Sequence, residues 1–364
     1  MSDDRIVHDP AELATAEDLD AMGSAAGPAS PGPVEAAAPH SPRLVERLLG
    51  RRARVYALPL ALAALGVVLL AAFEPGFYRP ENLHVLMEQW AVLGLVTLGQ
   101  LLVLLVAGID LSVGAVMNAS LIIIALMNQR GDLLIVSIFL CLALGALVGL
   151  ANGLLVSLRN LPPFAATLGM LAVLQGAILV YTKGIPAGNI PSSLRPVALS
   201  GVGPIPYSLI ICLGIALVLT FALRRGTYGR KIYAVGRSPE VARRAAISTT
   251  YVRVSTYVMC GVLAAAAGII LSAYVGYVDP AIGGNYNLES IAAAVLGGVA
   301  FTGGEGGPLG ALAGSLFLLV LLNVATISSL NPFTQLIVQG VAMLVAVSLF
   351  QLLKKRGAIF LRRD

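Results

Sequence analysis

The chain has 364 residues, of which 57% are hydrophobic and only 12% are charged. A water-soluble domain carries about 25% charged residues, so the composition excludes an ordinary soluble protein and predicts one that crosses a membrane several times. The net charge of +5 does not indicate nucleic-acid binding, because the basic residues are clustered between apolar segments. Six Lys/Arg lie at or before Arg54, eight between Arg224 and Arg253, and five from Lys354 onward.

The two ends of the chain differ in composition from the apolar region between them. The first forty residues hold eight acids, one Arg and five prolines, and bury too little apolar area to offset the entropy of ordering. We therefore predict a disordered cytoplasmic tail over 1–50, a membrane domain over 51–356 and a short cytoplasmic C-terminal tail over 357–364. The first segment is too acidic for a signal peptide.

The apolar region divides into segments long enough to be membrane helices. A helix needs roughly 20 apolar residues to cross a bilayer, and polar or Pro/Gly-rich turns separate ten such candidates. The sequence therefore predicts an all-α polytopic integral membrane protein with about ten transmembrane helices, or eight if two short ones are re-entrant. The predicted spans are 55–73, 83–106, 111–127, 133–158, 161–181, 205–223, 254–278, 288–301, 309–327 and 332–353.

The positions of the basic residues predict the orientation of these spans. Cytoplasmic loops of membrane proteins carry an excess of Lys and Arg. Both basic termini and the loop 224–253, which holds eight Lys/Arg against the single acid Glu240, are therefore predicted to lie in the cytoplasm. An even number of spans agrees with two cytoplasmic termini.

The sequence offers no machinery for catalysis. It contains no Walker A pattern, so any ATP hydrolysis has to come from another chain. The three cysteines lie inside apolar runs and the three histidines form no cluster, which argues against a metal enzyme. We therefore predict neither a cofactor nor a metal, and no Ser/His/Asp or Cys/His set is placed for nucleophilic catalysis.

Four stretches of the chain carry a resemblance to a known family and occur in that family's order. They are AGIDLSVGAVM (107–117), ANGLLVSLRNLPPFAATLGM (151–170), TYGRKIYAVGRSPEVARRAAI (227–247) and AAAVLGGVAFTGGEGGPLGALAGSLFLLVLLN (292–323). Through them the chain is similar, from about residue 58 to 353, to the permease subunits of ribose/xylose-type ABC sugar importers. It departs from the usual pattern at Ala107 and Ala246, where that family has glycines, and Arg244 makes the short loop helix more basic.

The resemblance implies a transport function and a set of partners. Such a permease moves a monosaccharide across the cytoplasmic membrane by alternating access. The implied partners are an ATPase subunit with tandem nucleotide-binding domains, an extracytoplasmic sugar-binding protein, a second permease copy or close paralogue, and membrane lipid. Nucleic acid is not among them.

The basic loop is the expected contact with the ATPase. Ser238 is placed to cap a helix beginning at Pro239, with Glu240 in its first turn and Arg243 near its end. The alternative is a loop that is basic only because of its cytoplasmic location. The predicted coupling residues are Gly229, Arg230, Gly236, Ser238, Pro239, Glu240, Ala242 and Arg243.

Polar residues within the spans are candidates for the translocation pathway. An acid at membrane depth is costly and usually serves a site or a pair. Asp110 is therefore a pathway candidate, although it is also placed to cap a helix beginning at Leu111. Each of the others is also a candidate for a simple interhelical hydrogen bond. The predicted pathway residues are Asp110, Ser112, Asn118, Asn152, Thr167, Gln175 and Asn323.

Other functions stay open at this stage. A permease for branched-chain amino acids or another small solute shares the general design. An ion-coupled secondary carrier needs a network of charged residues within its spans, yet 133–158, 196–223 and 306–353 contain none.

Overall fold

The computed structural model describes residues 75–131, 133–184, 188–279 and 281–327, with single positions between 331 and 344. The predicted tails, the predicted first span and nearly all of the predicted last span lie outside the described residues.

The regular structure within those residues is helical, apart from an isolated bridge and one small hairpin. In that hairpin β1 (Gly201–Val202) pairs antiparallel with β2 (Ile205–Pro206). A short 3-10 helix at Pro75–Tyr78 precedes the first α-helix. The α-helices are α1 Pro80–Leu105, α2 Val113–Arg130, α3 Leu134–Leu158, α4 Pro163–Thr182, α5 Arg195–Leu199, α6 Tyr207–Arg225, α7 Thr227–Arg237, α8 Pro239–Arg244, α9 Thr249–Val275, α10 Tyr286–Leu296 and α11 Pro308–Ile327.

Six of these helices are long and apolar enough to cross a bilayer: α1, α2, α3, α4, α6 and α9. At a rise of 1.5 Å per residue they measure about 27–40 Å, close to or above the roughly 30 Å hydrocarbon core of a membrane. They confirm the prediction of a helical protein with several membrane crossings. α11 is apolar as well.

The helices pack around α1, whose side chains from Ala91 to Leu105 are all buried. Small residues bring α3 and α9 into backbone contact: a Cβ added at Gly145 would overlap the carbonyl oxygen of Gly261. In lipid such close approach replaces the hydrophobic effect as a source of helix association. α4 and α6 lie at the periphery of the chain, with most of their side chains exposed.

One predicted span is discontinuous. The sequence predicts a helix over 288–301, but α10 covers only Tyr286–Leu296. Its 11 residues measure about 16 Å, roughly half the thickness of the hydrocarbon core. Turns occupy 281–285, where Gly283 packs against the backbone of Gly114 on α2. We call the segment 281–306, from these turns through α10 to the loop that follows it, the broken crossing.

Two alanines adopt left-handed backbone conformations, Ala107 with φ 59° and Ala246 with φ 57°. A Cβ in this region costs roughly 1–2 kcal/mol. These are the two positions at which the sequence has alanine where the resembled family has glycine. Both departures therefore introduce backbone strain.

Replacing Ala246 by glycine should stabilise the protein. Relief of strain outweighs the added entropy of the unfolded chain, leaving about 0.5–1 kcal/mol of stabilisation. We expect a higher thermal unfolding temperature in detergent for Ala246→Gly. Ala245→Gly is the matched control, because Ala245 is a neighbouring exposed alanine with φ −86°. If Ala246→Gly lowered the unfolding temperature as much as Ala245→Gly does, the backbone strain at Ala246 would be contradicted.

Candidate functional site

The basic loop folds into two helices, of which the sequence predicted only the second. α7 buries Ile232 and Val235 and exposes Arg230, Lys231 and Arg237. The signal that could have revealed α7 is the apolar spacing of Tyr228, Ile232 and Val235, at i, i+4 and i+7.

A hydroxyl pair attaches α7 to α9. The hydroxyl oxygens of Tyr228 and Ser255 lie 2.6 Å apart. Burial raises the pKa of the Tyr228 hydroxyl, so it remains a neutral hydrogen-bonding group at physiological pH. This hydroxyl pair links α7 to the second turn of α9.

α8 has the predicted cap. The Ser238 hydroxyl accepts a hydrogen bond from the Val241 N–H at 3.3 Å, and Pro239 occupies the first helical position. Ala242 is buried against the bundle, whereas Val241 is 65% exposed. The exposed Arg244 guanidinium donates to Glu240 at 2.6 Å. Arg243 is exposed without such a bond among the described contacts, so α8 presents a basic and partly apolar outer face.

Gly229 and Gly236 are required where the loop meets the bundle. A Cβ at Gly229 would overlap the Leu223 carbonyl oxygen, and one at Gly236 would overlap that of Leu105. The same Leu105 oxygen accepts a hydrogen bond from the Gly304 N–H at 2.9 Å. The end of α7 therefore lies directly on the end of α1 and on the loop that follows α10.

A second group of polar residues surrounds Asp110, which is 1% exposed. Its Oδ1 accepts hydrogen bonds from the backbone N–H of Ser112 at 2.8 Å and from the Ser112 hydroxyl at 2.6 Å. The Asn152 amide donates to Ser112 Oγ at 2.9 Å and approaches Asp110 Oδ1 at 3.4 Å. The structure thus brings three of the predicted pathway residues together.

The predicted cap by Asp110 is wrong in its register. α2 begins at Val113, and Ser112 occupies the N-cap position without a side-chain cap bond. Asp110 instead closes an Asx turn two residues earlier, because its side chain bonds the backbone of Ser112. The Gln100 amide faces the backbone of the same residue. In the amide orientation that satisfies both groups, its nitrogen donates to the Asp110 carbonyl at 3.0 Å and its oxygen accepts from the Asp110 N–H at 3.2 Å.

Two more helices reach the carbonyl oxygen of Ile109. The Tyr257 hydroxyl of α9 donates to it at 3.3 Å. The Thr167 hydroxyl of α4 lies at the same distance and shares its proton with the Pro163 carbonyl at 2.9 Å. The connection between α1 and α2 is therefore held by side chains from α1, α3, α4 and α9. A cavity of about 280 Å³ borders this connection, and its polar lining includes Asn160, Arg253 and Tyr257.

The remaining predicted pathway residues lie elsewhere. Asn118 accepts a hydrogen bond from the Gly283 N–H at 2.7 Å, in the broken crossing. Asn323 exchanges two amide hydrogen bonds with Asn82, at 3.1 and 3.2 Å. Gln175 is exposed on α4, eight residues and about 12 Å along the helix from Thr167. Asp110, Ser112 and Asn152 form what we call the Asp110 group, and neither Asn323 nor Gln175 joins it.

The sequence analysis missed two residues of this region. Asn287 accepts a hydrogen bond from the Gly114 N–H at 2.6 Å, and Tyr257 is fully buried beside Gly108. Asn287 stands in a Gly/Asn-rich stretch that is typical of a surface loop. Only the short length of the apolar run after it could have indicated that the loop enters the bundle.

The described residues offer no metal site, since no group of three or more His, Cys, Asp or Glu side chains among them is placed to hold an ion. The three cysteines are free and buried. What the site provides are neutral hydroxyls and amides around one carboxyl group.

A buried polar centre and a capped basic loop in a helical membrane protein are features expected of a solute permease. A family profile described as a branched-chain amino acid transport system permease component matches residues 82–347. The match covers more than half of the chain, which therefore belongs to this family. It is the permease component of an ATP-binding cassette importer and a multi-pass protein of the cell membrane.

Curated relatives match nearly the whole membrane domain. The ribose import permease protein of Bacillus subtilis (strain 168) is 35% identical over 78% of this chain and 88% of the relative. The fructose import permease protein of Rhizobium meliloti is 34% identical, over 83% and 85%. The autoinducer 2 import system permease protein of Enterobacter sp. (strain 638) is 35% identical, over 78% and 82%. No solved structure matches the chain significantly.

Substitutions at Asp110 distinguish two roles for its side chain: closing the turn before α2, or supplying a charge that transport requires. Asp110→Asn keeps an oxygen for the Ser112 N–H, so we expect a folded protein that retains most of its transport. Asp110→Ala leaves a buried donor unpaired, which costs about 1–3 kcal/mol, and should lower the thermal unfolding temperature. Transport and unfolding of both variants are measured in proteoliposomes.

The matched control is Asp279→Ala. Asp279 closes a similar turn by accepting from the Ala281 N–H at 2.9 Å, but in an exposed position where water can replace it. Its loss should change stability little. An Asp110→Asn variant that is fully stable and inactive would contradict the structural role and place the charge in the translocation mechanism.

Proposed function

We propose that this permease translocates a monosaccharide by alternating access, driven by ATP hydrolysis on a separate ATPase chain. The observation that carries the proposal is the 35% and 34% identity, over most of both chains, to permeases named for ribose and fructose import. The chemistry of the Asp110 group supports it, because neutral amides and hydroxyls are suited to pair with sugar hydroxyls.

Two other substrates have some support. Autoinducer 2 is the second candidate, since a permease named for its import is 35% identical. Branched-chain amino acids appear in the description of the family. An amino acid carries two charges that need partners. The Asp110 carboxyl already accepts two hydrogen bonds at Oδ1, so of the charged groups described at this site Arg253 alone is left to pair with one. This favours a neutral solute.

We further propose ten crossings with both termini and the loop 224–253 in the cytoplasm. The contacts are consistent with this topology. Gly236, Leu105 and Gly304 meet at one end of the bundle. At the other end, the Asn189 carbonyl accepts a hydrogen bond from the Asn128 amide at 2.8 Å, and Asn189 forms an isolated β-bridge with Tyr277. We assign these three residues to the outer end of the bundle. The broken crossing joins these ends and counts as one passage.

The exposed face of α7 and α8 is the proposed docking surface for the ATPase, which we expect to carry two tandem nucleotide domains. Arg230, Glu240 and Arg243 are exposed there, whereas Ala242 and the two glycines seat the loop on the bundle. This division suits a surface that has to hold a partner and pass on its movement.

A second copy of the permease is the proposed neighbour of α4 and α6. Gly169 and Gly176 of α4 and Gly214 of α6 have open space beside them. Small residues at a lipid-facing surface allow another helix to approach closely. With a homodimer and an extracytoplasmic sugar-binding protein, the importer would be complete.

Reconstitution tests the function directly. The permease is assembled with its ATPase and binding protein in proteoliposomes, and uptake of a panel of pentoses, hexoses, autoinducer 2 and leucine is measured. We expect ATP-dependent uptake of at least one monosaccharide and none of leucine. Uptake of leucine alone, or uptake without ATP, would contradict the proposal.

A loop variant shows whether uptake depends on the docking surface. Arg243→Glu combined with Glu240→Ala should insert normally but capture less ATPase and lose uptake by tenfold or more. Arg130→Glu is the matched control. Arg130 is an exposed base in the last turn of α2, at the end of the bundle that we assign to the outer side, away from α8. Equal capture and uptake in the loop variant and the control would contradict docking at α8.

A further inference from the structure

The loop 224–253 touches two parts of the bundle at once. Gly236 lies against the Leu105 carbonyl, and a Cβ there would also come within 2.5 Å of the Gly304 nitrogen. The Tyr233 hydroxyl donates to the Gly306 carbonyl at 2.8 Å. A displacement of α7 therefore acts on the end of α1 and on the segment 303–306 together.

The segment 303–306 is the inner end of the broken crossing. It follows α10 within a few residues, and its own turns pack on both α1 and α7. A Cβ at Gly303 would lie 2.9 Å from the Ala107 nitrogen and 2.9 Å from the Gly236 oxygen. The inner end of the broken crossing is thus held between the docking loop and the α1–α2 connection.

Two asparagines hold the other part of the broken crossing on α2. Asn118 of α2 accepts from the Gly283 N–H at 2.7 Å, and Asn287 of α10 accepts from the Gly114 N–H at 2.6 Å. Between these bonds the backbones of Gly114 and Gly283 are in direct contact. The two bonds run in opposite directions, so each helix supplies one amide to the backbone of the other segment.

The start of α2 is in turn fixed to the α1–α2 connection. Asp110 and Ser112 close the turn before α2, and Asn152 attaches that turn to α3. The broken crossing therefore has two attachments: the docking loop at its inner end and the start of α2 within the bundle. The turns at its start, 281–285, have no helix of their own to resist bending.

We infer that the broken crossing is the element that the docking loop moves during transport, with Asn118 and Asn287 as positioning residues that hold it on α2. This inference rests on the proposed function. It assigns the two amides a role in coupling ATP hydrolysis to translocation. Discontinuous helices in transporters commonly lie at the pathway, because their irregular backbone needs a polar neighbour.

The test compares Asn118→Ala and Asn287→Ala in the reconstituted importer. Neither substitution touches α7 or α8, so ATPase capture and basal hydrolysis should equal those of the parent. Sugar uptake should fall at least tenfold, and the number of ATP molecules hydrolysed per sugar should rise by a similar factor. The double variant should be little worse than either single one, because both bonds hold the same contact.

Asn128→Ala is the matched control. Asn128 lies on the same helix and its amide also bonds the backbone of another segment, but at the opposite end of α2 and in an exposed position. It should leave the ratio of ATP to sugar unchanged. If the parent imports sugar and both variants keep that ratio within twofold of the parent, the inference is wrong while the proposed function stands. Loss of assembly and hydrolysis in both variants would also overturn it, since the amides would then serve only folding.

Discussion

The carbonyl oxygen of Leu105 is the point at which the helical bundle meets the loop that we propose as the docking surface. It accepts the Gly304 N–H, and Gly236 lies against it with no room for a side chain. Three segments far apart in sequence are therefore in backbone contact. Because backbone is stiffer than a side chain, movement of any one of them has to be followed by the other two or break the contact.

A second constraint comes from the membrane itself. Irregular backbone within a bilayer needs partners for its N–H and C=O groups, since lipid offers none. Here the side chains of Gln100, Thr167 and Tyr257 bond the backbone of the connection before α2. The side chains of Asn118 and Asn287 bond the broken crossing to α2. The polar side chains that first suggest a sugar pathway thus have a structural role as well. They hold in place the irregular segments that a transporter needs.

The sequence predicted what depends on local pattern. The long apolar runs predicted the helices α1, α3 and α9, and the Ser238-Pro239 pair predicted the capped helix α8. It did not reveal what depends on distant contacts. The start of α2 at Val113 depends on Asp110 closing its turn with Ser112, and the position of the start of α10 depends on Asn287 reaching Gly114. Neither pairing leaves a periodic signal.

The most direct test of the account is whether α10 moves with the docking loop. Spin labels at cysteines replacing Thr227, Leu288 and Leu147, all exposed, report three distances in the assembled importer with and without ATP. The native cysteines are buried and should not compete for label. The account predicts that the distance from Leu288 to Leu147 on α3 changes with nucleotide, while that from Leu288 to Thr227 stays constant. A docking loop that shifts relative to Leu147 while Leu288 does not would contradict it.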